Sequence, residues 1–393
     1  MATVRDYTNY LVYLCRCAVK DEMPENGFSK ELDFERFFQF CYDHQLVGLA
    51  YDMISKNKTG YEGTQTMLIF KDKHNYAVLK DASQEYYLSL IKEAFANNGI
   101  DYTLLKGSVI KNLYPIPYYR QCTDADILIR REDTERAKTV MEALGFENKT
   151  FGSEDHTDNY RIDKYMYVEL HKNLVPKVYE QFRSCEEIPK RLILKGNHEY
   201  AMTDEDFYIF MVVHLAKHLK WSSAGIRAIL DIWVYLKNKQ ELNWENINSE
   251  LEKCELTKFH EKLMELVDYW FKCADPNKDI LKMADYIGES GWNGSKEHTD
   301  AFDAKYLGAM NKSSSNMRLR YFLRIAFMDK ANLRNRYPVL DKHPYLLPAC
   351  WVHRGFEVLF KRRNMIDSVL HTYDDVDMNK SAQIDAMRKS FGL

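Results

Sequence analysis

The apolar period changes twice along the chain, and those two changes limit the folds it can adopt. From Val4 to Asn98 apolar residues recur at three- and four-residue spacing, as in Phe34, Phe37, Phe38, Cys41 and Tyr42 and again in Tyr87, Leu88, Leu90, Ile91 and Phe95. That spacing is the mark of amphipathic helices. Past Asn98-Gly99 three short apolar runs replace it, Tyr102 to Leu105, Ala125 to Ile129 and Tyr165 to Leu170, and they read as strands. Between the last two, Arg131 to Leu144 reads as a helix with acids in its first turn, stopped by Gly145. Helical spacing returns after Gly196-Asn197, where Thr203 and Asp206 give a capping signal ahead of Phe207 to Leu219. The expected fold is therefore α/β of the α+β type, a small mixed-sheet domain flanked by N-terminal and C-terminal helical regions. The boundaries fall at 1–97, 98–176 and 177–393. The length suits about two to three domains, and a hydrophobic share of 46% is enough for a large core.

Several function classes are excluded on the same grounds. The longest apolar stretch, Phe207 to Leu219, is broken by His214, Lys217 and His218, short of the ~18 residues a membrane span needs. Met1 to Asp6 has no secretory-leader pattern. The eight cysteines include Cys15-x-Cys17 but no Cys-x-x-Cys, so neither a zinc ribbon nor a redox motif is indicated. A cytoplasmic protein with free thiols is expected. A net charge of -3 argues against wrapping nucleic acid over the whole surface. Lys312 to Arg363 nevertheless carries twelve basic residues against three acids, a stretch that suits RNA, a phosphorylated acceptor or an anionic membrane surface. Its interleaved aromatics read first as helical core.

Chemistry concentrates in Leu104-Leu105-Lys106-Gly107-Ser108, then Arg120, then Asp124-Ala125-Asp126. A strand ending in Gly-Ser at a helix start favours an anion such as phosphate. Asp124 and Asp126, two apart on a strand, project to one side, and Glu169 between Val168 and Leu170 faces the same way. Three converging carboxylates suit hard divalent ions, Mg²⁺ or Mn²⁺, and would hold two. His171 points away from Leu170 and is a candidate to line the cleft. His214 and His218, four apart on the expected helix, read as a polar cleft-lining face, since Leu215 stands where a zinc protease needs Glu. Arg227 and Asp231, also four apart, read as a helix ion pair.

This order resembles the DNA polymerase β-like nucleotidyltransferase superfamily, whose signature is an apolar residue, Gly, Gly or Ser, a spacer, Asp-x-Asp on a strand and a later strand acid. Fifteen residues separate Ser108 from Asp124, slightly more than usual. More closely, the chain is similar to a bacterial nucleotidyltransferase family with Leu-Lys-Gly, Tyr, Arg-x-x-x-Asp-x-Asp, Gly-Phe and Val-Glu-Leu-His. Here these are Leu105-Lys106-Gly107, Tyr114, Arg120 to Asp126, Gly145-Phe146 and Val168 to His171, and the likeness reaches His214, His218, Arg227, Asp231, Tyr337-Pro338, Leu347-Pro348 and Arg354. The resemblance implies transfer of a nucleotidyl group from an NTP such as ATP to a hydroxyl or phosphate, with loss of pyrophosphate. Asp124 and Asp126 would ligate both metals, and Glu169 the one nearer the acceptor. Gly107 and Ser108 would hold the triphosphate, and Lys106 and Arg120 would neutralise it. The acceptor would be a small molecule, a sugar intermediate or a peptide. A catalytically silent NTP-sensing or partner-binding module, and an RNA-binding or RNA-modifying protein using the basic C-terminal helices, stay open as alternatives.

Overall fold

The computed structural model describes residues 2–25, 28–29, 31–57, 59–149, 157–176, 179–291, 333, 337, 339–353 and 378–393. Most of the basic stretch from Lys312 to Arg363, with Pro338 and Arg354, lies outside the described residues.

The N-terminal helices follow the sequence spacing: α1 (Val4–Lys20), α2 (Phe34–Asp43), α3 (Val47–Ser55) and α4 (Gln65–Asn97). Thr3 and Asp6 form a reciprocal capping box on α1, and Asp33 and Thr64 cap α2 and α4 by accepting from backbone N–H groups. Their apolar faces meet in an aromatic cluster in which Phe34 stacks on Tyr61 at 4.4 Å and Phe28 and Phe70 pack edge-on to neighbours.

Next come β1 (Tyr102–Leu104), the single-turn α5 (Gly107–Ile110), β2 (Ala125–Ile129), α6 (Thr134–Ala143), β3 (Glu147–Asn148), β4 (Thr157–Arg161), β5 (Tyr167–His171), β6 (Ile193–Gly196) and β7 (Glu199–Ala201). They form one mixed seven-stranded sheet in the order β3-β4-β5-β2-β1-β7-β6. The fold is α+β, as expected. Three features of the sheet differ from the sequence reading. Gly196-Asn197, where helical spacing was expected to resume, is the turn of a β6–β7 hairpin, with φ of 143° and 46°. That hairpin carries the sheet past residue 176 by pairing β7 parallel to β1. Its signal is faint because β6 is an exposed edge strand with Ile193 and Leu194 in solvent. β4, Thr-Asp-Asn-Tyr-Arg, is too polar to read as a strand, and β3 is two residues long.

The sheet's two faces set the site. Ala125, Ile127, Ile129, Val168 and Leu170 pack with Leu88, Ile91 and Phe95 of α4 and with Ala137, Val140 and Met141 of α6. Asp126, Leu128, Glu169 and His171 therefore face the other way. That side meets α7 (Asp204–Trp221) and α8 (Ile226–Asn238), backed by α9 (Trp244–Lys253), α10 (Thr257–Lys272) and α11 (Lys278–Ser290). Thr203 caps α7, accepting from Asp206 N–H at 3.1 Å. A buried histidine joins three helices: His44 Nε2 donates to Gly288 O (3.2 Å) and Nδ1 accepts from Ile226 N (3.1 Å). Burial pushes its pKa down to about 4, so the ring is neutral. Met378–Ser390 forms a C-terminal helix whose Arg388 donates to Ser222 O at 2.8 Å. Among the described residues no helix is long and apolar enough to cross a membrane, and the eight cysteines are free.

Candidate functional site

β2 and β5 are parallel neighbours, with Asp126 opposite Glu169 and Leu128 opposite His171. Two separately apolar strands therefore bring their acids side by side on one face. His171, two residues past Glu169, joins them. Asp126 Oδ1 accepts from Lys106 Nζ at 2.5 Å and from His171 Nε2 at 2.7 Å, and His171 Nε2 lies 3.4 Å from Glu169 Oε2. Asp126 is 3% exposed and His171 5%, so these are charge interactions in low dielectric. Burial alone would raise the Asp126 pKa, but Lys106 and His171 outweigh it and hold the group ionised. The His171 hydrogen bond likewise lowers Glu169. At Asp124, just ahead of β2, burial and the neighbouring Asp126 outweigh Lys106 and Arg120 and push the pKa up to about 6.

Asp126, Glu169 and His171 bring donor atoms within 4.8 Å of one another, a set that could hold a metal ion. Asp124 lies outside that set but lines the same cavity of about 250 Å³. The sheet supplies the acids, and α7 and α8 supply the opposite wall: His214, Lys217, His218 and Arg227. His214 and His218 meet Nε2 to Nε2 at 3.0 Å, and His218 Nδ1 lies 3.3 Å from Ser222 Oγ. Burial lowers both, His218 to about 3, so the pair is neutral. Lys217 enters the sequence reading only as a break in the apolar stretch, not as a site residue. Burial, with Lys106 nearby, pushes it down to about 8. Its signal was a lysine interrupting the apolar face between two histidines.

Lys106 sits at φ 45°, ψ −120°, a backbone region that favours glycine, as the residue before α5. This turn aims its ammonium at Asp126. Gly107 has a different reason for being glycine: a Cβ there would collide with the Arg120 guanidinium and lie 2.8 Å from Cys122 Sγ. The close approach is thus made by Arg120. Ser108 is buried with its N–H bonded to Leu105 O at 3.2 Å, and neither Gly107 nor Ser108 lines the cavity.

Arg120 does line it, fixed by a partner 111 residues away. Its Nη2 donates to Asp231 Oδ2 at 3.1 Å and its Nε to the same oxygen at 3.3 Å, while Tyr114 OH donates to Asp231 Oδ1 at 2.7 Å. The carboxylate that reads as an Arg227 partner therefore reaches off its own helix. Arg227 Nη1 donates to Gln121 O at 2.6 Å and to Gln45. No curated protein and no solved structure matches the chain. A family model described as an uncharacterised nucleotidyltransferase matches residues 30–272, well over half of the chain, and the chain belongs to that family.

Proposed function

We propose that the chain transfers a nucleotidyl group from an NTP to a hydroxyl of a small acceptor, on the DNA polymerase β-like plan, with Asp124, Asp126 and Glu169 at the reacting centre. The observation that carries this reading is the parallel register setting Asp126 beside Glu169, facing a wall that bears Lys217 and Arg227. The donor chemistry fits a divalent cation: two carboxylates and an imidazole converge, and Asp126 already draws in an ammonium group. Mg²⁺ or Mn²⁺ held by Asp124, Asp126 and Glu169, with His171 as a further donor, would supply charge neutralisation at the phosphates. Lys106, Lys217 and Arg227 bind the triphosphate by charge. Gly107 and Ser108 shape the turn that aims Lys106, and Arg120, held by Asp231, adds positive potential. The acceptor oxygen bonds to the α-phosphorus, its proton passes to the half-exposed Glu169, and the bond to the β-phosphate breaks to release pyrophosphate. His214 and His218 line the cleft as neutral groups, and His171 lines it while bonded to Asp126.

Calorimetric titration of ATP, GTP, CTP and UTP, with and without Mg²⁺, tests this on wild type and on Asp124→Asn with Asp126→Asn. Metal-dependent binding lost in the double variant is expected, with pyrophosphate released once acceptors are added. Absence of NTP binding would refute the reading, and binding without pyrophosphate release from any acceptor would select an NTP-sensing module instead.

A further inference from the structure

Two cavities meet at the stretch Arg120 to Asp126. A second one, about 340 Å³, is lined by α2, α4 and residues 118 and 120–123. Gln121 and Cys122 line only the second cavity, Asp124 and Asp126 only the first, while Arg120 and Thr123 line both. The stretch is thus a shared wall, with the carboxylates at its edge. The second cavity has the size of a small-molecule site.

Its lining is chemically specific. Lys73 and Lys80 stand seven residues apart on one face of α4, about 10 Å along the axis, a span two lysine side chains can close from either end. Lys80 Nζ donates to Thr123 O at 3.0 Å, and Lys73 Nζ lies 5.3 Å from the centre of the Tyr42 ring. Among the described residues neither lysine has a carboxylate within ion-pair distance. Both acids of the lining are engaged: Asp81 takes Lys111 Nζ at 2.9 Å and Asp43 accepts from Gln39 at 2.7 Å. Tyr42, Tyr76 and Tyr118 give the cavity ring walls. An exposed and a half-buried ammonium group, neither paired with a carboxylate among the described residues, favour an anion, and the two together favour a dianion. A phosphate monoester carries about −1.5 to −2 charge at neutral pH.

We propose that this second cavity holds the acceptor, a hydroxyl-bearing small molecule with a phosphate monoester, its phosphate on Lys73 and Lys80 and its hydroxyl at Thr123 beside Asp124. The inference rests on the transferase reading and deepens it. The acceptor's hydroxyl oxygen forms the new bond to the α-phosphorus, its proton passes to a site carboxylate, pyrophosphate leaves, and the acceptor's own phosphate is unchanged.

Calorimetry with glucose 6-phosphate as probe tests it, with and without saturating α,β-methylene-ATP and Mg²⁺. Saturable binding is expected in both conditions. Lys73→Gln with Lys80→Gln should weaken it at least about tenfold while moving the nucleotide analogue's affinity by less than about twofold. Lys73 is exposed, so Lys73→Gln alone, which leaves the fold untouched, should still weaken the sugar phosphate by about threefold or more. Three results overturn the proposal: no saturable binding to wild type, binding undiminished in both variants, or displacement of the probe by the nucleotide analogue, which places the anion in the triphosphate cavity. If the probe binds through the lysines and the analogue does not bind, the anion site stands and the transferase reading falls. The reverse pattern removes the acceptor cavity alone.

Discussion

Replacing Asp231 with Asn isolates one charge in the wall between the two cavities. Asp231 and Arg120 are 9% and 11% exposed at the side chain, so solvent does little to screen them, and the guanidinium packs where a Gly107 side chain would be. Asn at this position still accepts from Tyr114 OH, which sits at 2.7 Å in the wild type, so that hydrogen bond survives and only the counter-charge is lost. Leaving a buried cation without its partner costs about 3–5 kcal/mol. Urea unfolding followed by circular dichroism should show that loss as a lower midpoint with an unchanged slope. Arg120→Met strands the carboxylate instead and should cost a similar amount. The combined Arg120→Met and Asp231→Asn variant carries neither charge, and its cost should fall below the sum of the singles by at least about 2 kcal/mol. Strictly additive singles, or an Asp231→Asn cost under about 1 kcal/mol, would refute the assignment of this pair as the anchor of Arg120.

Three further outcomes follow from the same geometry. His44, neutral with a pKa near 4 when folded and near 6.5 when unfolded, binds more protons in the unfolded state between those values, so stability should fall as pH drops from 6.5 to 4, by about 3 kcal/mol in all. Urea midpoints across that window check it, and His44→Gln should flatten the dependence; a flat wild-type profile would sink the idea. Gly107→Ala should destabilise by about 1–3 kcal/mol through the clash with Arg120 and Cys122, and the same substitution should cost less when made in an Arg120→Met background, as thermal unfolding of the two pairs would report. On the transferase reading, Lys217 must be charged to hold a triphosphate, so NTP affinity should fall as pH rises through about 8, by up to about tenfold per unit, and Lys217→Arg should move the decline to higher pH. An unchanged pH profile in that variant would take Lys217 out of the phosphate contacts.

What was legible in the sequence was local. β2 and β5 announce themselves as apolar runs with an acid set in each, and the alternation of strand side chains places Glu169 opposite Val168 and Leu170, which are buried on the other face. The cap at Thr203 was readable for the same reason, since its partner is three residues away. Register was not readable: nothing near Asp126 says that Glu169 lies opposite it, because a parallel pairing across some forty residues is decided by how α4 and α6 cover the sheet. The same limit explains Asp231. A carboxylate four residues from Arg227 reads as its helical neighbour's partner, but in the fold it also meets a buried arginine 111 residues earlier in the chain. At Gly107 the local reading named the right residue for a different reason: a missing side chain signals close approach without saying what approaches, and here it is Arg120.

These pieces give the first cavity a polarity that neither wall has alone. The sheet face contributes Asp124, Asp126 and Glu169, a charge that burial makes costly unless a cation is near, and Lys106 and His171 meet only part of that need at Asp126. The helix face contributes Lys217 and Arg227 with two neutral histidines, and its one acid, Asp231, is already bound to Arg120. Acids on one side and cations on the other, facing across a cavity of about 250 Å³, match a ligand that is itself a polyanion carrying a divalent cation. A bare anion would be repelled by the sheet and a bare cation by the helices, so each requires the other to enter. On the transferase reading, nucleotide and metal should therefore bind with strong mutual dependence, set by which wall each charge stands on rather than by any single residue.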